Sequence, residues 1–230
     1  MRIVGDFAAD GYAVLSDLAP SDAVDRLRAS GIFPCNAAGQ RGFAADGNAD
    51  IAALAAADGA LTRAASELMG SRCHPVRILL FDKTPQANWA VPWHQDRTIA
   101  VKERVEVAGY GPWSRKGGVD HVEPPAELLS DMVALRLHLD DCGADNGALE
   151  VVPGSWKLGR IAAGEIAGIV SRGNVRTLTA RAGDVVAMRG LTLHASKRAE
   201  RPGHRRVLHV DFTNRDLSAP LAWAMTEFAA

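Results

Sequence analysis

The segment Trp93-His94-Gln95-Asp96 places an imidazole and a carboxylate two residues apart. On extended chain the side-chain period of two turns both toward one face. Joined there by a histidine from elsewhere in the chain, they would make two nitrogen donors and one oxygen donor. That set holds non-haem iron on one face and leaves positions open for reactants. A His-x-Asp pair alone does not define such a site, so the elements around it must supply the rest.

Arg77–Phe81 is a short apolar run bounded by Pro75 and by Lys83-Thr84-Pro85, which predicts a buried strand ahead of the motif. Met132 to Asp140 alternates, with Val133, Leu135, Leu137 and Leu139 on one face and Ala134, Arg136, His138 and Asp140 on the other. Asn146-Gly147 signals a tight turn into a strand over Ala148–Val152, and Pro153-Gly154-Ser155 turns the chain again. Further strands are expected over 176–179, 183–188 and 191–194, the last ending on a lone histidine, His194. The closing strand, Arg205–Phe212, sets Arg205, Val207, His209 and Asp211 against Leu208, Val210 and Phe212. Short strands separated by frequent turn signals imply a sandwich or barrel, not a parallel βαβ sheet.

The N-terminal part reads differently. Gly11–Leu15 is a short strand, and a helix opens at Pro20-Ser21-Asp22 and runs to Ala29, stopped by Gly31. Residues 36–48 look like a loop. Ile51 to Met69 predicts one or two helices, broken at Asp58-Gly59 and ended by Gly70, with apolar stripes packed on the outside of a sheet. Arg97 to Pro125, rich in Gly and Pro, reads as a long structureless connection beside the proposed ligands, hence a lid.

A chain of 230 residues with 47% hydrophobic and 23% charged residues is an ordinary globular composition. A net charge of -1 gives no reason to propose nucleic acid or an anionic membrane as partner. No apolar leader or membrane-spanning run is visible. Cys35, Cys73 and Cys142 lack any CxxC spacing, which argues against a disulfide framework or a zinc site and fits a reducing cytoplasm.

Arg205 completes the constellation. An arginine directed into a barrel requires an anion, because a buried unpaired charge is costly, and its planar fork suits a carboxylate.

Taken in order, His94-Gln95-Asp96, Asp145-Asn146-Gly147, Val152-Pro153-Gly154-Ser155, Gly183-Asp184-Val185-Val186, His194-Ala195-Ser196 and Arg205 resemble the phytanoyl-CoA dioxygenase family. The resemblance covers about residues 75–215 and implies a double-stranded β-helix (jelly roll, cupin-like) with flanking helices. The chain would be one domain over 1–230, with an N-terminal helical flank to about 74. The resemblance also implies an Fe(II)- and 2-oxoglutarate-dependent oxygenase that consumes O2. His94, Asp96 and His194 match the metal ligands, Arg205 the arginine gripping the distal carboxylate of 2-oxoglutarate, and Ser196 the hydroxyl beside it. Arg136 falls where the family lines the cosubstrate pocket, although arginine is not the usual choice there. Lys83 matches a lysine ahead of the iron motif. Trp156 departs from the histidine that commonly follows Pro-Gly-Ser. Because Asp96 retains the carboxylate, hydroxylation or another oxidation is expected, not halogenation.

Trp89, Trp93, Trp113, Arg115, Lys116 and His121 are the candidates on the substrate side, and a cationic lid would suit an anionic small molecule. His138 and His209 are pocket or core histidines, with Asp211 the expected partner of His209. Two rival readings are a non-catalytic jelly-roll sensor of metal or carboxylate and a cupin-type metalloenzyme with more histidine ligands. The sequence leaves the oligomeric state open.

Overall fold

The computed structural model describes residues 2–33, 40–41 and 47–225. Cys35 and most of the loop expected over 36–48 lie outside the described residues. In chain order the strands are β1 (Ile3–Val4), β2 (Tyr12–Leu15), β3 (Gln40–Arg41), β4 (His74–Lys83), β5 (Val91–His94), β6 (Ile99–Val101) and β7 (Trp113–Lys116). They continue as β8 (Val119–Val122), β9 (Met132–His138), β10 (Leu149–Val151), β11 (Arg176–Leu178), β12 (Val185–Arg189), β13 (His194–Ser196) and β14 (Arg205–Thr213). The helices are α1 (Phe7–Asp10), α2 (Ser21–Ala29), α3 (Ala49–Ala55), α4 (Ala60–Met69), α5 (Ala126–Ser130) and α6 (Ile166–Arg172).

Among the described residues, a seven-stranded antiparallel sheet runs β1-β2-β12-β9-β14-β4-β3. A four-stranded antiparallel sheet runs β11-β10-β13-β5. The two share an apolar layer in which Tyr12, Val14, Ala134, Val186 and Met188 meet Leu149, Val151, Leu178 and Ala180. This is the expected jelly roll. The N-terminal segment does more than flank it, because β1 and β2 extend the large sheet.

The opposite face of the large sheet carries the alternation read in β9 and β14. Val133, Leu135, Leu137, Leu208, Val210 and Phe212 pack there against Val24, Leu27, Ile51, Leu54 and Leu61 of α2, α3 and α4. Helix α3 is capped by the Asn48 side chain, which accepts from the backbone N–H groups of Asp50 and Ile51. The helical stretch breaks as the sequence predicts, and Gly70 ends α4 in the left-handed conformation. With this face sealed by helices, the polar residues of β9 and β14 must point between the sheets.

Two expectations need correction. The connection after Asp96 is not structureless: β6, β8 and β7 form a three-stranded antiparallel sheet. Ile99, Val101 and Val122 from it pack with Leu129, Met132, Leu191 and Trp223, and that burial is what orders the segment. Residues 191–193 are not strand either. Leu191 takes a φ of 64°, so the chain turns after Gly190 and β13 begins only at His194. A Cβ at position 190 would stand 1.8 Å from the Leu129 carbonyl oxygen, so only glycine lets this turn approach α5 so closely. No helix among the described residues is long and apolar enough to cross a membrane.

Candidate metal centre

His94 ends β5 and lies directly across from His194, the first residue of β13. Their ring centroids are 4.2 Å apart. Asp96 follows two residues beyond the strand and turns back to both, with Oδ1 3.8 Å from His94 Nε2 and Oδ2 3.7 Å from His194 Nε2. One donor atom from each of the three lies within 4.8 Å of the others.

The other nitrogen of each ring is already committed. Nδ1 of His94 lies 2.9 Å from the Pro92 carbonyl oxygen, and Nδ1 of His194 lies 2.9 Å from that of Thr192. A carbonyl oxygen only accepts, so the proton sits on Nδ1 and the Nε2 lone pair of each ring is left facing Asp96. Orienting a ligand histidine through its second nitrogen is how metal sites fix tautomer and ring angle. Burial draws the His194 pKa down to about 4, against the pull of Asp96, so the ring is a neutral donor at ordinary pH. Burial alone would raise the Asp96 carboxyl, but His194, Arg77, His94 and His209 outweigh it and hold the group well below the usual carboxylate range. Two imidazole nitrogens and one carboxylate are the donors a divalent iron site needs.

Between the ligands, Gln95 points the other way and is buried. Its Nε2 donates to the Leu191 carbonyl at 2.6 Å and to that of Gly159 at 2.8 Å, while its Oε1 accepts from the Ile161 N–H at 2.9 Å. Across the site, the large sheet presents a polar row. Arg136 Nη1 donates to His209 Nδ1 at 3.1 Å, His209 Nε2 donates to Asp211 Oδ1 at 2.8 Å, and Arg77 Nε donates to Asp211 Oδ2 at 2.5 Å.

A second pole lies further along the same strands, where Arg205 pairs in register with Lys83. Lys83 Nζ donates to Ser196 Oγ at 2.8 Å and to the Lys197 carbonyl at 2.7 Å, and is fully buried. Arg205 donates through Nη1 to the Gly147 carbonyl and to Ser196 Oγ, while its buried Nε has no partner. Lys83, Arg205 and Arg136 form no ion pair with any carboxylate among the described residues. Burial, then the neighbouring Arg205 guanidinium, draws the Lys83 pKa down to about 7. Burial likewise lowers Arg205. A buried guanidinium with a spare N–H beside a buried amine and a hydroxyl has the donors that could receive a carboxylate.

The model of the family described as phytanoyl-CoA dioxygenase (PhyH) matches residues 7–207. The chain belongs to the phytanoyl-CoA dioxygenase family. It is therefore an enzyme of the iron- and 2-oxoglutarate-dependent class, and its triad is of the kind that holds iron in that class. No curated protein matches the chain. Among solved structures, AviO1 from Streptomyces viridochromogenes Tue57 is similar at 23% identity and a TM-score of 0.65, covering 94% of each chain. The epimerase SnoN, in complex with Fe3+, alpha ketoglutarate and nogalamycin RO, is similar at 17% identity and a TM-score of 0.65, covering 97% of this chain and 91% of that one. Iron-bound HygX from Streptomyces hygroscopicus gives 16% identity and a TM-score of 0.64, covering 92% and 87%. These likenesses carry the fold.

Within this phytanoyl-CoA dioxygenase family member, the remaining sequence candidates fall in several places. Trp89 lies under the Lys83 ammonium, 5.5 Å from ring centroid to Nζ. Trp93 is partly buried against Val152, Ile161 and Leu193. Trp113 packs on the apolar cluster beneath the small sheet, with Arg104 5.4 Å over its ring. His121 is buried in that sheet, with Nδ1 3.0 Å from the Val119 carbonyl. Arg115 pairs with Asp120, and Lys116 donates to Thr98 at 3.3 Å. His138 is buried between Arg205 and Arg136, its Nδ1 unpartnered, and burial draws its pKa down to about 3. Trp156 stacks 4.4 Å from the Arg189 guanidinium and closes against Gly11. Sequence reasoning missed Gln95, Arg77 and Gly147. Of these only Gly147, in an Asn-Gly turn, carried a local signal.

Proposed function

We propose that this protein oxidises an unactivated C–H bond of a small molecule, by hydroxylation, with iron(II) held by His94, Asp96 and His194. The observation that carries the reading is the convergence of two Nε2 lone pairs on Asp96, together with a buried arginine and lysine that bond to Ser196 on the His194 strand and that no carboxylate among the described residues pairs with. Iron(II) with 2-oxoglutarate and O2 supplies the oxidising power, releasing succinate and CO2. Arg205, Ser196 and Lys83 would hold the distal carboxylate of the keto acid and so fix its angle at the metal. The Pro92 and Thr192 carbonyls hold Nδ1 of each ring and so aim both Nε2 atoms at the metal position. The small sheet over 99–122 stands beside Asp96 and would exclude water from the reacting carbon. Trp93 and Trp113 would lie on the substrate side, with His121 acting through the sheet that buries it. We place the protein in the cytoplasm, where the free, buried Cys73 and Cys142 stay reduced.

The test is anaerobic addition of Fe(II) and 2-oxoglutarate to metal-free protein, followed by the weak visible charge-transfer band of an iron–keto acid chelate. The band should vanish in His94→Ala and weaken in Arg205→Gln. Iron bound without any band would sink the 2-oxoglutarate assignment.

A further inference from the structure

Arg136 is a pocket cation that the distal clamp leaves unused. It sits on β9 directly opposite His209 of β14, four residues along that strand from Arg205. Four strand residues span ~13 Å, so Arg136 and Arg205 are rooted at different depths of the pocket. Arg136 joins the polar row that runs through His209 and Asp211 to Arg77 across from the triad; burial and then the Arg205 guanidinium lower its pKa to about 10, while Asp96 and Asp211 pull the other way.

No carboxylate among the described residues pairs directly with Arg136. Its guanidinium makes one side-chain hydrogen bond, to His209, and lies 5.7 Å over the Phe81 ring. Because arginine only donates, His209 Nδ1 must accept, and the proton on Nε2 goes to Asp211. His209 thus bridges Arg136 to Asp211. Asp211 is already bound by Arg77. Arg136 itself is only half-buried, so the N–H groups left over reach open space, beside a partly exposed Phe81. A guanidinium with no directly paired carboxylate there can take up an anion, and its fork matches a carboxylate.

We propose that Arg136 binds a carboxylate at the metal-proximal end of the pocket, separate from the one held by Arg205. The inference rests on the proposed function. Two molecules can bring that group: the cosubstrate, through its 1-carboxylate, or a carboxylate-bearing substrate. Arg136 would then mark either the grip on the keto acid or the choice of an acidic substrate.

The test uses iron-loaded protein under nitrogen, with 2-oxoglutarate affinity measured by calorimetry in wild type, Arg136→Gln, Arg136→Lys and Arg205→Gln. If the cosubstrate supplies the carboxylate, Arg136→Gln weakens 2-oxoglutarate roughly tenfold or more, and Arg136→Lys recovers only part of the loss. If the substrate supplies it, 2-oxoglutarate affinity holds in Arg136→Gln. Benzoate or hexanoate then shifts the charge-transfer band of the wild type while the matching amides do not, and Arg136→Gln loses that response. Should Arg136→Gln fail to fold, Arg136→Lys is read in both arms, with a several-fold loss expected in one of them. No change in either arm, or complete recovery in Arg136→Lys, would overturn the proposal. Arg205→Gln separates the failures. Loss of 2-oxoglutarate binding there with no effect at Arg136 removes this inference alone, whereas unchanged binding there removes the cosubstrate reading itself.

Discussion

The carboxamide of Gln95 bonds to the Leu191 carbonyl at 2.6 Å, joining the segment that carries His94 and Asp96 to the turn that delivers His194. The same side chain also holds Gly159 and Ile161, so one residue fixes the spacing of ligands nearly a hundred positions apart. Gln95→Leu should strand a buried N–H and two carbonyls and cost about 2–3 kcal/mol in urea unfolding. Fe(II) affinity should fall in the same variant, although no metal-facing atom has changed. Unaltered iron binding would show that β5 and β13 hold the spacing without it.

Affinity for 2-oxoglutarate should depend on pH through Lys83. Its pKa stands at about 7 in the ligand-free protein, lowered by burial and by Arg205. A carboxylate binds the protonated amine, so affinity should be greatest below that pH and decline as pH rises through it. Lys83→Met should flatten the profile and weaken binding roughly tenfold on the acid side. Calorimetry across this range, in wild type and variant, checks both statements.

His138 should make the fold acid-sensitive. Its pKa is lowered to about 3 by burial and by Arg205 and Arg136, so the unfolded chain takes up the proton first. Stability is therefore complete above the ordinary histidine value and is lost as pH falls below it. One such group contributes a slope of about 1.4 kcal/mol per pH unit between pH ~4 and ~6. His138→Leu should reduce the measured slope by about one proton, with metal-free protein used for both.

Gly147 has a φ of 62°, and a Cβ there would stand 2.8 Å from the Lys197 carbonyl oxygen and 3.1 Å from Lys83 Nζ. Gly147→Ala should thus strain the turn and crowd the anion pocket together. The expected result is a loss of about 1–3 kcal/mol in stability and a raised KM for 2-oxoglutarate. An unchanged KM would place the bound carboxylate away from Lys83.

The parts of this architecture legible in sequence are those where the two faces of a strand meet different media. In β9 and β14 one face meets helices and the other the site, so Val133, Leu135 and Leu208 alternate with Arg136, His138 and His209. The helix break near Gly59 and the stop at Gly70 were equally local. The small sheet was not legible because β7 is short and exposes Ser114 and Arg115. The missed cue was Gly117-Gly118, a two-residue hairpin loop with Lys116 opposite Val119. The apolar run after Gly190 resembled a strand, since nothing in Leu191 announces a positive φ. Gln95 and Arg77 acquire their roles only from partners far along the chain, Leu191 and Asp211, and local pattern is blind to that.

Glu123, at the end of the small sheet, accepts from Arg97 at 2.5 Å and 3.1 Å and forms an ion pair with Arg160 at 3.1 Å. Arg97 is the residue after Asp96, and Arg160 lies between the two residues that Gln95 grips. The covering sheet is therefore tied to the same short stretches of chain that space the metal ligands. Displacing that sheet would pull on the chain at Asp96 as well, so its position and the geometry of the triad are mechanically one variable. A bulky guest that shifted the sheet would then disturb the proposed metal ligands without touching them.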